Sequence, residues 1–208
     1  RFSTLINDNR YSLILLVDFI FARRDICNFT EVKIRFTLQA PICIFDAKNA
    51  VLCPKCESKL ESGTITSFDV DAAIKLAQLG KKNKRIDKFS LSSCKVIDGN
   101  YLLYLKEDDI MVIRQSRTLY RLIQSQFPGK IWLIETKAND KRFIEDLFFP
   151  TRILSINAVW ANEGNQKVKA VIAGKWTPKF PINLEKAIEI VKNLRKQELV
   201  VEFEKARK

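Results

Sequence analysis

The sequence predicts an α+β protein built from two tandem copies of one small module, each running helix, strand, strand, helix, strand. Three observations lead there. Apolar residues recur with a helical and then a strand-like period in the same order in both halves. A turn glycine, Gly99 in one half and Gly164 in the other, stands 20 residues before the leucine that opens the next helix's inner face, Leu119 or Leu184. Finally, 208 residues that are 47% hydrophobic can bury a core of this size. One matched spacing is weak, but a repeat of the whole order is hard to assign to chance. The modules are placed at residues 66–136 and 138–208, each expected as a three-stranded sheet with helices on one face. A small cysteine-containing hairpin, residues 40–65, is expected before them.

The elements follow in order. Ile42-Cys43-Ile44 and Val51-Leu52-Cys53 flank the polar stretch Asp46-Ala47-Lys48-Asn49, which reads as a hairpin ending in a cysteine knuckle. A helix should follow, capped near Ser67, with Val70, Ile74 and Ala77 on one face and Gly80 at its end. Residues 81–85 are then a basic linker. Strands are expected at 91–97 and 100–105, joined at Asp98-Gly99, a strong hairpin dipeptide because glycine accepts positive φ. A helix over 117–126 presents Leu119, Leu122 and Ile123, Pro128-Gly129 breaks it, and 130–135 is a strand. In the second half, Asn139 can cap a helix with Phe143, Ile144, Leu147 and Phe148 inside, and Pro150 stops it. Strands at 153–160 and 167–173 are joined at 162–165. Asn183 can cap a helix with Leu184, Ala187, Ile188, Val191 and Leu194 inside, and a strand over 199–203 ends the module.

The formal net charge is +12. Phosphate backbones reward such an excess because each Lys or Arg contact releases a condensed counterion. An anionic membrane or an acidic protein would suit it too. Histidine is absent, which removes the usual general base near neutral pH and the usual nitrogen ligand for metals. There is no Walker-type loop and no outstanding carboxylate pair, so the chain is not expected to be an enzyme. Five cysteines, unevenly spread, do not form a secreted disulfide framework, and a cytoplasmic setting fits them better. The apolar run 11–22 is interrupted by Asp18, is too short to span a bilayer, and has no clear small-residue cleavage site after it. Residues 1–39 are therefore expected as an extension that precedes the natural start, with Val32 or Leu38 as alternative start positions. Charges balance over residues 1–31, so the positive excess lies wholly beyond them.

The repeated order resembles the type II KH fold. The second half is most similar to the KH repeats of archaeal NusA-like transcription factors, through Lys141-Arg142-Phe143-Ile144-Glu145-Asp146-Leu147-Phe148-Phe149-Pro150 and the strand Ile153 to Trp160 with its Asn157. The segment Ile42 to Cys56 resembles the opening of a NusA-like group with a Cys-x-x-Cys knuckle. The resemblance spans roughly residues 40–204. It implies a protein that binds RNA, preferentially single-stranded, in transcription elongation or termination or another RNA-linked process, with RNA polymerase or the ribosome as partner and no membrane. A KH module clamps about four nucleotides with a Gly-x-x-Gly loop, and here the sequence departs. The matching stretches are Arg114-Gln115-Ser116-Arg117, without glycine, and 174–179, with Gly174 alone and Pro178.

The candidate RNA contacts are accordingly Arg114, Gln115, Ser116 and Arg117 in the first module and Lys175, Trp176 and Lys179 in the second. Charge holds phosphate, and Trp176 stacks a base. The bland readings are a solvated helix start and a tryptophan folded under its own loop. Lys82, Lys84 and Arg85 are either a plain linker or a nucleic-acid contact. Trp132 and Trp160 are expected in the core. Degenerate loops of this kind also suit a protein-interaction adaptor, the alternative function. Cys53-Pro54-Lys55-Cys56 places two thiolates on one turn, a common half of a zinc site. Folding the hairpin brings Cys43 opposite Cys53 as a third ligand, and Cys94 is the candidate fourth. A redox pair, a metal-free relic and a site shared between two chains stand beside the zinc reading.

Overall fold

The computed structural model describes residues 38–160, 166–174, 177 and 180–204. The expected extension lies outside these residues except for Leu38 and Gln39. So do Lys175, Trp176, Lys179 and the side chain of Trp160. The described residues form seven α-helices, one short 3-10 turn and two three-stranded sheets, a mixed α+β protein. The chain divides into two compact units at Phe89–Ser90.

The first unit is helical. Helices α1 (Ile44–Asn49), α2 (Pro54–Glu61) and α3 (Ser67–Lys82) precede a 3-10 turn at Ile86–Lys88. The expected hairpin over 42–53 is thus a helix and a loop. Three-residue apolar pieces cannot separate strand from buried helix, and 44–49 contains no glycine or proline to turn a hairpin. Extended Cys43 opens α1, and Ala50 closes it in the left-handed conformation with its N–H donated to the Asp46 carbonyl. Cys53 and Pro54 open α2, proline at the first helical position losing no intrahelical bond. A capping box of Thr66 and Asp69 starts α3, one residue before the expected cap. Gly80 does not end α3. A β-carbon there would lie 3.3 Å from the Asp87 backbone, so the glycine lets the 3-10 turn fold back onto the helix. Lys81 and Lys82 extend α3 into the expected linker. Ile42, Ala47, Ile65, Ala72, Leu76, Leu79, Ile86 and Phe89 are buried.

The second unit holds both sheets. In the first, β1 (Leu91–Ile97) pairs antiparallel with β2 (Asn100–Leu105), and β2 pairs parallel with β3 (Ile131–Glu135). Asp98 and Gly99 both have positive φ, as a two-residue type I′ hairpin requires. The crossover from β2 to β3 holds two helices, α4 (Glu107–Gln115) and α5 (Arg117–Gln124), where the sequence suggested one. The signal for α4 was Glu107-Asp108-Asp109, acids that favour a helix N-terminus, followed by Ile110 and Ile113, both buried.

Helix α6 (Asp140–Leu147) follows, capped by Asn139, whose side chain accepts the Arg142 N–H at 2.8 Å. The second sheet repeats the first: β4 (Ile153–Trp160) antiparallel to β5 (Gln166–Ile172), and β5 parallel to β6 (Glu198–Phe203). Helix α7 (Leu184–Arg195), capped by Asn183 as expected, joins β5 to β6. A register irregularity falls at the same place in both sheets, between Leu91 and Ser93 and between Ile153 and Ser155. One core joins the two. Leu102, Trp132 and Ile134 of the first sheet and Val168, Ala170, Ile172 and Leu199 of the second pack in one cluster with Phe143, Ile144, Leu147 and Phe148.

Candidate metal centre and nucleic-acid cleft

Two helix starts converge in the first unit. Cys43 and Cys53 are the residues that open α1 and α2, Asp46 lies in the first turn of α1, and Cys56 lies in the first turn of α2. The three sulfurs and an Asp46 carboxylate oxygen all lie within 4.8 Å of one another. Of the expected ligands, Cys43, Cys53 and Cys56 are brought together. Cys94 is not among them: it is buried in β1 of the second unit, paired with Leu103. Asp46 stands in the fourth place; the sequence does not single it out, because Asp46-Ala47-Lys48-Asn49 reads as a polar turn.

Asp46 is fully buried, 0% exposed. Its Oδ2 accepts the Cys53 N–H at 3.0 Å, while Oδ1 has no hydrogen-bond partner. Burial opposes its charge, but the Cys53 amide and the three facing thiols outweigh burial and hold its pKa below the ordinary 3.8. The Cys43 N–H donates to the Cys56 sulfur at 3.4 Å. Burial, together with the neighbouring Asp46 carboxylate, pushes the Cys56 thiol well above its usual range. Three sulfurs and one oxygen are a donor set and a number that suit tetrahedral zinc, and Asp46 Oδ1 is not committed to any hydrogen bond.

In the second unit, Arg114-Gln115-Ser116-Arg117 is a junction between helices. Arg114 and Gln115 end α4, and Ser116 both closes α4 and caps α5, accepting the Leu119 N–H at 3.3 Å. Arg117 and Gln115 are exposed. Arg114 is turned inward. Its guanidinium donates to Asp146 Oδ1 at 3.1 Å and lies 4.2 Å from the centre of the Phe149 ring. Burial lowers its pKa against the opposing pull of Asp146. Lys82, Lys84 and Arg85, in the first unit, are exposed around the end of α3.

Beside this junction lies a cleft of about 420 Å³. Arg114, Arg117 and Lys130 supply its cations, Tyr120, Trp132 and Phe149 its rings, and Pro150 and Pro181 part of its wall. Its carboxylate, Asp146, is already engaged by Arg114 and by the Glu135 N–H at 2.8 Å. Lys130 lies over the Trp132 ring, 4.6 Å from its centre. Partial desolvation, and then the charge of Lys186, lower its pKa. Trp132 is buried, as expected, yet its indole N–H has no partner. Lys130, Tyr120 and Phe149 are not evident from the sequence, because they stand 10 and 19 residues apart and only folding gathers them. Among the described residues no helix is long and apolar enough to cross a membrane.

No family model and no curated protein matches the chain. Among solved structures, the crystal structure of APE1850 is similar over 62% of this chain and 95% of its own, at 18% identity and a TM-score of 0.40.

Proposed function

We propose that this chain is a non-catalytic, NusA-like RNA-binding protein that takes single-stranded RNA into the cleft of its second unit and carries zinc at its cysteine cluster. The observation that carries the RNA reading is the cleft beside the α4–α5 junction, with three cations and three rings around it and its carboxylate already engaged. The order β1, β2, α4, α5, β3 supports a type II KH reading, in which RNA lies along the junction of the two helices. Arg117 and Lys130 contact phosphate, and bases stack on Tyr120 and the exposed Phe149 ring. Arg114, held by Asp146, positions the junction. Without glycine at 114–117 the backbone keeps its distance from phosphate, so affinity comes from charge and stacking with little base discrimination. The setting is cytoplasmic and transcriptional, or another RNA-linked process, with RNA polymerase or the ribosome as protein partner. Zinc at Cys43, Cys53 and Cys56 would tie the starts of α1 and α2 together as a structural cross-link.

A protein-interaction adaptor is the second reading. What favours it is the engagement of Arg114 with Asp146 where an RNA contact was expected. Binding of a single-stranded oligoribonucleotide across a salt series separates the two. The RNA reading expects log affinity to fall with log salt, and Arg117→Ala with Lys130→Ala to reduce that slope by about 1–1.5, at roughly 0.7 per single-stranded phosphate contact. Binding that is absent, or indifferent to salt, leaves the adaptor. A wild-type slope in the double variant removes the cleft as the site.

A further inference from the structure

The zinc reading names a metal and three sulfurs; on that reading rests the question of which atom completes the site. We propose that Asp46 is the fourth direct ligand, so that the centre is a three-sulfur, one-oxygen site complete within residues 43–56.

Burying Asp46 is costly. Its side chain has no solvent exposure, and one carboxylate oxygen finds no hydrogen-bond donor. An unsatisfied charged oxygen in a protein interior is destabilising, and natural folds keep such a group only where something compensates it. No cationic side chain is paired with it among the described ion pairs. What surrounds it instead is three cysteine sulfurs, all within 4.8 Å of its oxygen and of one another. A divalent cation at that point would take one carboxylate oxygen and the three sulfurs together.

The carboxylate is also aimed. Its other oxygen is fixed by the Cys53 N–H at 3.0 Å, the kind of supporting bond that orients a ligating carboxylate. The Cys43 N–H does the same for the Cys56 sulfur at 3.4 Å. Four donors fill a tetrahedral zinc ion, so the cluster needs neither Cys94 nor a second chain. The mixed donor set also has a selectivity. A carboxylate oxygen is hard where thiolates are soft, which favours zinc over monovalent copper.

Zinc-edge X-ray absorption of the full-length protein, purified without chelator, tests this directly. We expect three sulfurs at about 2.3 Å and one oxygen at about 2.0 Å. Asp46→Cys should retain zinc and convert the spectrum to four sulfurs, and Cys94→Ser should change neither content nor spectrum. Asp46→Ala should weaken zinc binding by more than about 100-fold, beyond the roughly 10–100-fold that loss of a merely supporting residue costs. Four sulfurs in the wild type, or Cys94→Ser losing zinc, would overturn the role of Asp46 and leave the zinc reading standing. A wild-type protein that takes up no zinc overturns both.

Discussion

The pair Arg114–Asp146 makes a prediction with two opposite signs. Asp146 has no side-chain exposure and Arg114 has 15%. Burial raises the carboxyl pKa of Asp146 in spite of the Glu135 amide, Arg114 and Arg142, and burial lowers that of Arg114 in spite of Asp146. Both directions say that desolvation outweighs the attraction, the balance expected of a buried pair. Removing one partner strands the other's charge: Asp146 keeps the Glu135 N–H at 2.8 Å and a more distant Arg142 at 3.7 Å, and Arg114 keeps the Leu133 and Asp146 carbonyls at 3.4 Å. Arg114→Met or Asp146→Leu alone should therefore cost about 3–5 kcal/mol. The double variant removes both charges and should come back to within about 2 kcal/mol of wild type, the residue being the Glu135 N–H that loses its acceptor. The coupling between the sites is thus several kcal/mol, far above the few tenths seen for independent sites. Urea unfolding of the four proteins, read at unchanged m, measures it. A double variant as unstable as the two single losses added together would refute the reasoning.

Two further outcomes follow from local geometry. A β-carbon at Gly129 would run into the Gly99 carbonyl where the first sheet's turn meets the start of β3, so Gly129→Ala should lower stability by about 1–3 kcal/mol in the same urea assay; a neutral effect would mean the turn yields freely. Burial raises the Asp109 carboxyl although the Ser90 N–H at 2.8 Å and Lys106 oppose it. A raised folded-state pKa favours folding below the unfolded value of 3.8 and that contribution is lost as pH rises through the folded value. Asp109→Asn keeps an acceptor for Ser90 and should flatten the decline in stability just above that pH, which a variant with an unchanged pH profile would contradict.

The sequence was most legible where local chemistry decides structure. Asn139 and Asn183 cap their helices as expected, Asp98-Gly99 turns its hairpin, and Phe143, Ile144, Leu147 and Phe148 face inward. It was least legible at 42–53, where short apolar runs have no decisive period and burial of Ala47 against the helical unit selected a helix. The candidate sites divide the same way. Cys53 and Cys56 declare themselves by spacing. Asp46 does not, because an aspartate in a polar stretch looks solvated until tertiary packing buries it. Arg114 illustrates the converse: its partner lies 32 residues away along the chain, and nothing local foretold that its charge would be spoken for.

The core shared by the two sheets bears on how the protein would respond to a bound ligand. Phe143, Ile144, Leu147 and Phe148 pack in one cluster with strands of both sheets. Exposing that cluster from either side forfeits apolar contacts on the other, so the slowest-exchanging amides of β2 and of β5 should open together with one free energy rather than two. RNA held at the α4–α5 junction would then slow exchange throughout the second sheet as well, by mass action on a common folded state. Two sheets that repeat one strand order would thus act as a single cooperative unit.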